Sequence, residues 1–150
     1  MYLVAGDEPL LVDEALEAVR AASRAKGFTT RELHVTDRSF RWAELEGAAD
    51  NLSLFATRKI VELRMPSPRP GDAGSKAIAA LAERDDPDRI LIVGVGEKLD
   101  SSAQKTAWVK AIDKLGVVVE VWPIERNELP RWIQQRAASQ RLKLTNAAAL

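Results

Sequence analysis

The chain has 150 residues with 22 basic and 22 acidic side chains, so its formal net charge is zero. A domain whose main task is to steer onto nucleic acid or an anionic membrane usually has a basic excess, and none is present. Because cysteine is absent and there is one histidine, disulfides and thiol nucleophiles are excluded and a transition-metal site is disfavoured. Apolar runs such as 90–93 are too short to span a bilayer, and the first residues do not read as an export signal. We therefore expect a cytoplasmic protein with no membrane partner.

Strand and helix patterns alternate along the chain. Strands are predicted at 2–5, 31–35, 59–65, 89–95 and 117–121. Helices are predicted from residue 9 to about 26, at 42–50, at 74–83, from 101 to 116 and from 127 onward. The fourth strand is apolar without polar alternation, which is typical of a parallel sheet covered on both faces. The alternation predicts right-handed crossovers and an α/β fold, a three-layer sandwich around a five-stranded, mainly parallel sheet.

The predicted helix ends depend on local capping residues. Asp7 or Glu8 is expected to cap the first helix, and a glycine at position 27 to close it. Ser101 with Gln104 forms the pattern of a capping box for the fourth helix. Asn127 is expected to cap the last one.

The turn after the first strand is the first place to look for a ligand in an open α/β sheet. A phosphate-binding turn needs several glycines, a lysine and a serine or threonine. Residues 6–11 contain one glycine, no lysine and no hydroxyl, while Asp7 and Glu8 place negative charge there and Pro9 removes a backbone donor. We therefore predict no nucleotide and no other cofactor at this turn.

Other residues that suggest chemistry are better explained structurally. Glu62, where P-loop ATPases carry an acid that polarises Mg²⁺, is predicted to be a solvated strand residue. The glycines at 94–96 are predicted to form a turn, and His34 to be structural. The acidic stretch 85–88 lacks the length and glycine of a calcium loop, so no metal site is predicted. The tryptophans are expected in the core, and we identify no alternation of basic and aromatic residues typical of single-strand binders.

An apolar connector follows the second predicted helix. It contains Leu52, Ser53, Leu54 and Phe55, whereas connectors normally are polar and run over the surface. Leaving large apolar side chains in water forgoes about 1.5–3 kcal/mol each. The segment either packs into the core, which its spacing alone favours, or is held out for a partner. The lack of nucleotide chemistry favours the partner and suggests a binding arm.

Five segments in order resemble the delta subunit family of the bacterial clamp loader, part of the DNA polymerase III holoenzyme. They lie at 3–11, 51–58, 98–100, 107–108 and 129–133. The resemblance implies a P-loop NTPase-type, AAA+-like domain that lacks the nucleotide-binding loop. It implies that Leu54 and Phe55 insert into a hydrophobic pocket of the ring-shaped sliding clamp, the beta subunit, and that Leu52 and Ser53 shape the segment. A second contact would then distort the ring, which opens and is placed on primed DNA during DNA replication.

The resemblance also implies an organisation. Residues 1–142 would form the clamp-binding domain, and 143–150 would begin a truncated lid domain. Other loader subunits would bind through C-terminal domains missing from this chain, and DNA would be contacted only by the whole loader. No intrinsic catalytic activity is expected, although the holoenzyme is a DNA-directed DNA polymerase, a nucleotidyltransferase.

Two alternatives stay open. A divergent nucleotide-binding P-loop-type enzyme domain would be stabilised by ATP with Mg²⁺. A DNA-binding module is disfavoured by the zero net charge.

Overall fold

The computed structural model describes residues 1–50 and 58–142; within the second main helix, the side chains at 46 and 48–50 are outside this description. The elements in chain order are β1 (Tyr2–Gly6), α1 (Pro9–Ala25), β2 (Thr30–Val35), α2 (Trp42–Asp50), β3 (Lys59–Met65), α3 (Gly71–Glu83), β4 (Arg89–Val95), a 3₁₀ turn (Ala103–Lys105), α4 (Ala107–Leu115), β5 (Val117–Val121) and α5 (Leu129–Ser139). In the described ranges, no helix is both long and apolar enough to cross a membrane.

The strands form one sheet in the order β2-β3-β4-β1-β5, and each neighbouring pair is parallel. Leu3 of β1 lies opposite Val93 of β4 and Val118 of β5, which sets the register at the centre of the sheet. Because every connection must return across the sheet, helices cover both of its faces. The predicted three-layer α/β sandwich around a five-stranded parallel sheet is confirmed.

The core has two parts, one on each face of the sheet. The larger part lies under α2, α3 and α4 and includes the fully buried Leu45, Ile78 and Trp108. The smaller part lies under α1, where Val12 and Leu16 pack against the sheet. Since side chains alternate along a strand, β3 gives Val61 and its alternate neighbours to the larger part and Ile60 to the smaller one.

Several predicted helix ends are wrong by a few residues. The third helix begins at Gly71 rather than Gly74, because the preceding Pro70 occupies the N-cap position and no proline interrupts the turn that follows. The Ser101–Gln104 capping box is not formed. Instead, Asp100 Oδ1 accepts the backbone N–H of Ala103 at 2.7 Å and starts the 3₁₀ turn.

Of the three remaining predicted caps, the one at Gly27 is formed, and the side-chain caps at the starts of α1 and α5 are not. At the end of α1 the prediction is confirmed: Gly27 has φ +91°, and its N–H donates to the Arg24 carbonyl at 2.9 Å. At the start of α1 the N-cap residue is Glu8, but its side chain makes no capping hydrogen bond. At α5 the N-cap position belongs to Glu128 rather than Asn127, again without a side-chain cap.

The prediction that the tryptophans fill the core is partly wrong. Trp108 is fully buried, whereas Trp122 is 65% exposed just beyond the end of β5. In this sheet β5 is an edge strand, so a residue just past its end is flanked by a neighbouring strand on one side only. Apolarity alone therefore overestimated its burial.

Candidate functional site

The turn between β1 and α1 is shaped by packing. A Cβ added to Gly6 would lie 2.6 Å from the Val121 carbonyl oxygen and 2.8 Å from the Val121 Cβ, so β5 requires a glycine here. Pro9 occupies the first turn of α1, and Asp7 and Glu8 are exposed. The single glycine of the turn is thus explained by the β1–β5 contact, without a phosphate.

The glycines at the end of β4 are explained by packing as well. A Cβ on Gly94 would lie 2.8 Å from Leu16 Cδ1 of α1. The N–H of Gly96 donates to the Met65 carbonyl at 3.0 Å, which continues the pairing of the parallel strands β3 and β4 beyond their last residues. The prediction of a turn at 94–96 is wrong for Gly94 and Val95, which are the last residues of β4, and the bend begins at Gly96.

Glu62 is not solvated, and the prediction for it is wrong. It is fully buried on the α1 face of β3. One carboxylate oxygen accepts from Arg20 Nη1 at 2.9 Å and from Arg64 Nε at 2.7 Å, and the other accepts from Arg31 Nε at 2.7 Å. Three arginines from α1, β2 and β3 therefore surround one carboxylate, and we call Glu62 with these three residues the arginine cage.

The arginine cage fixes the charge state of its centre. Burial alone would raise the pKa of Glu62, but the hydrogen bonds from Arg31 and Arg64 and the charge of Arg20 outweigh it, and the pKa lies below its usual 4.5. Hydrogen bonds to Asp13 and Glu62 raise the pKa of Arg64 despite its partial burial. With three guanidiniums around it, this carboxylate has no capacity to hold Mg²⁺ or to accept a proton near neutral pH.

The sequence contains a pattern that indicates the arginine cage. The buried stripe of α1 runs through Val12, Leu16 and Arg20 at intervals of four, so an arginine falls where an apolar residue is expected. A buried guanidinium requires a carboxylate partner. Glu62 lies on the strand face that α1 covers and is therefore the available partner.

A cavity of about 330 Å³ lies at the carboxyl ends of β2, β3 and β4, beside the start of α1. Its walls include Val12, Val35 and Met65, and its polar groups include Arg64 and Asp13, which are joined by a hydrogen bond of 2.7 Å. Because Arg64 is bonded to two carboxylates, it is not a free cation for phosphate. The cavity is mainly apolar and offers no nucleophile among the side chains named.

The predicted clamp-binding residues Leu52, Ser53, Leu54 and Phe55 lie outside the described residues, but both flanks are described. On one side α2 is anchored by Leu45, which is fully buried. On the other side Arg58 donates to the Lys26 carbonyl at 3.0 Å and to Asp88 at 3.3 Å. Its guanidinium also lies 5.5 Å from the centre of the Phe28 ring. The chain thus enters β3 from a fixed point at the amino edge of the sheet, opposite the cavity.

The remaining candidates have structural roles. His34 Nε2 lies 3.1 Å from Glu32 Oε1, and Phe40 contacts the imidazole edge-on. In the acidic turn, Asp86 accepts the backbone N–H of Asp88 at 3.0 Å. Within residues 1–50 and 58–142, no three acidic or histidine side chains form a group able to hold a metal ion.

Comparisons with known proteins agree on one family. The family model "DNA polymerase III, delta subunit" matches residues 2–122. The DNA polymerase III subunit delta of Escherichia coli K12 is 33% identical over 147 residues, which are 98% of this chain and 43% of the relative. That of Haemophilus influenzae is 24% identical over 151 residues, 99% of this chain and 43% of the relative.

A solved structure with the same fold is the Aeropyrum pernix ORC1 protein in complex with DNA. It matches with a TM-score of 0.52 over 93% of this chain and 43% of that chain, at 15% identity, which shows likeness of fold alone. The chain spans less than half the length of the curated relatives that it matches, at 43% of each.

Proposed function

The chain belongs to the DNA polymerase III delta subunit family, and from this premise we propose that it is the clamp-binding arm of a replication clamp loader. In this proposal Leu54 and Phe55 insert into the hydrophobic pocket of the sliding clamp, and Leu52 and Ser53 shape the segment. The arm helps to open the ring for loading on primed DNA. It acts in the cytoplasm, its domain ends near residue 142, and other loader subunits bind outside this domain.

The observation that carries the proposal is the inert carboxyl edge of the sheet. Where an ATPase of this fold binds phosphate, this chain presents Asp7, Glu8 and Pro9. Where it would hold Mg²⁺, Glu62 is enclosed by three arginines. Phosphate would be repelled by Asp7 and Glu8 in the turn after β1. A metal ion would be repelled by the three arginines around Glu62. A member of this fold that lacks both the phosphate-binding turn and an acid free to hold Mg²⁺ is best explained as a binding domain.

The flanks of residues 51–57 support an interaction at the other edge. Arg58 connects the start of β3 to the Lys26 carbonyl and to Asp88, and Leu45 fixes α2 in the core. A segment whose two ends are held loses less conformational freedom on binding than one with free ends. This arrangement lowers the entropic cost of partner binding.

The energetics suit a contact that must later be released. Two buried anchors contribute on the order of 3–6 kcal/mol gross, from which the costs of association are subtracted. The resulting affinity is in the micromolar range at best unless the surrounding surface adds contacts. The anchors would be the hot spot and their neighbours the complementary rim.

The test is titration of the chain with purified sliding clamp, followed by calorimetry. We expect the wild type to bind and the Leu54→Ala, Phe55→Ala double variant to lose measurable binding, because both anchors are removed. A matched control replaces Leu10 and Leu115 by alanine, since these leucines are 51% and 50% exposed on α1 and α4, which are not the elements that flank the segment. The control should bind like the wild type.

Thermal unfolding separates the two origins of a loss. A folded double variant without binding supports the proposal. A double variant that unfolds at much lower temperature than the control would mean that Leu54 and Phe55 are core residues, which contradicts it. Retained binding by the folded double variant would contradict it too.

A second candidate function, a divergent nucleotide-binding domain, is favoured by one observation. The cavity of about 330 Å³ lies at the carboxyl ends of the strands, where α/β sheets commonly bind ligands. A ligand at 100 times its dissociation constant stabilises the native state by about 2.7 kcal/mol. We expect no change of Tm with millimolar ATP and Mg²⁺, and a concentration-dependent rise would favour this candidate instead.

A further inference from the structure

A second cavity, of about 420 Å³, opens between the loop after β2 and the loop after β3. Arg38, Phe40 and Trp42 line one wall, while Pro66, Arg69 and Pro70 line the other. We call it the aromatic cavity. It lies at the carboxyl edge of the sheet, whereas β3 begins after the predicted clamp-binding segment at the amino edge, so the proposed function does not account for it.

The aromatic wall is rigid and partly accessible. The Phe40 and Trp42 rings meet edge to face, with centroids 5.0 Å apart at 83°. The Trp42 ring packs on α3, since a Cβ added to Gly74 would lie 2.5 Å from it and from Pro70. His34 contacts Phe40 edge-on from the other side at 6.2 Å. A planar ligand that packs here would not have to order these side chains first.

The two arginines that line the cavity differ in their partners among the described residues. Arg38 is exposed and makes no hydrogen bond or ion pair with another residue in 1–50 and 58–142. Arg69 donates to Asp100 at 2.7 Å, an exposed pair of little net strength. The carboxylate of Asp37 accepts both the backbone N–H and the hydroxyl of Ser39 at 2.7 Å, so it is used to build the loop.

This combination fits a nucleotide better than an acidic peptide. Bases stack on aromatic side chains and on guanidiniums, and the neighbouring phosphate binds arginine. A peptide carboxylate would use Arg38 but leave Phe40 and Trp42 without a partner. The stretch Arg38-Ser39-Phe40-Arg41-Trp42 alternates basic and aromatic residues, so the expectation that the chain lacks such an alternation is wrong. The zero net charge of the whole chain does not decide the matter, since charges act over about 10 Å at 0.1 M salt.

We propose that the aromatic cavity binds a nucleotide unit of a single-stranded nucleic acid, with the base against Phe40 and Trp42 and a phosphate at Arg38. The contact goes beyond the proposed clamp binding. Because the contact involves few nucleotides, it is weak in the isolated chain. It strengthens nucleic-acid binding when the chain is already held near a single-stranded nucleic acid.

The test is fluorescence anisotropy of a labelled dT12 strand titrated with the chain at low salt. We expect a dissociation constant on the order of 10⁻⁴ M, as for contacts dominated by few phosphates. Arg38→Glu should weaken binding at least tenfold. Arg126→Glu is the matched control, because Arg126 is also exposed and follows β5, whereas Arg38 follows β2. These two strands are the opposite edges of the sheet, four strand spacings or roughly 19 Å apart. It should change binding less than twofold.

Two further variants test the chemistry. Phe40→Leu keeps most of the apolar volume but removes the ring. Because Phe40 packs on the core, we expect a small fall in Tm and a several-fold weaker binding by the folded variant. Arg38→Ala should lower the slope of log K against log salt by about 0.7, the value for one phosphate on a single strand.

Each of the following results would overturn the proposal. The first is that the anisotropy of dT12 does not change on titration. The second is that Arg38→Glu and Arg126→Glu weaken binding equally, which would mean that binding responds only to net charge. The third is full binding by Phe40→Leu. Competition by poly-glutamate would indicate an acidic peptide, and competition by thymidine monophosphate as effective as the strand would indicate a free nucleotide.

Discussion

Replacing Glu62 by alanine should lower the free energy of unfolding by about 3 kcal/mol, the lower end of the range for removing one partner of a buried ion pair. The carboxylate is fully buried and accepts hydrogen bonds from Arg20, Arg31 and Arg64. Its loss leaves the mostly buried Arg20 without its main partner. The cost stays at the lower end because Arg20 also donates to Glu17.

Denaturant unfolding of two variants measures this effect. Glu17→Ala is the matched control, since Glu17 also bonds Arg20 but is about half exposed, and its removal should cost less than about 1 kcal/mol. If Glu62→Ala costs no more than Glu17→Ala, the arginine cage does not hold the sheet and α1 together in the way described.

The same comparison has a defined pH dependence. The pKa of Glu62 is lower in the folded chain than its usual 4.5, so the unfolded state binds a proton first as the pH falls. The stability that Glu62 supplies is therefore complete above its unfolded pKa of about 4.3 and is lost as the pH falls through the folded value. The difference between wild type and Glu62→Ala should be constant at neutral pH and shrink below about pH 4.

The fold could be predicted from sequence because its signals are local and redundant. The strand 89–95 has an uninterrupted apolar run at 90–93, and its predicted bounds agree with β4. The end of α1 needed only one glycine with a positive φ, which Gly27 provides. Continuous apolar runs separated by helix patterns leave few arrangements other than a covered parallel sheet.

The wrong predictions concern interactions between residues far apart in sequence, or a choice between two neighbouring residues that could each cap a helix. The burial of Glu62 is not predicted from sequence, because its partners Arg20 and Arg31 lie 42 and 31 positions away. A carboxylate can be buried only when such partners are all in place. At the fourth helix, Asp100 and Ser101 are both good capping residues, and the choice between them depends on how the preceding chain leaves β4. The binding residues 52–55 are outside the described part of the structure and stay a prediction.

Replacing Leu54 and Phe55 together should also abolish any effect of the chain on ring opening. A ligand opens a ring only by as much as it prefers the open form, and a shift from 1:99 to 99:1 needs a preference of about 10⁴. Two anchors that contribute on the order of 3–6 kcal/mol gross are marginal for this even if they bound only the open form. We therefore expect the chain alone to open a fraction of the rings.

The most direct measurement of the central claim is energy transfer between two dyes placed across one subunit interface of the clamp. With wild-type chain, transfer should fall and level off as binding saturates, while the Leu54→Ala, Phe55→Ala variant should leave it unchanged and the Leu10→Ala, Leu115→Ala control should match the wild type. If the wild type binds the clamp saturably but the energy transfer between the dyes does not change, the account is contradicted. The chain would then hold the clamp without opening it.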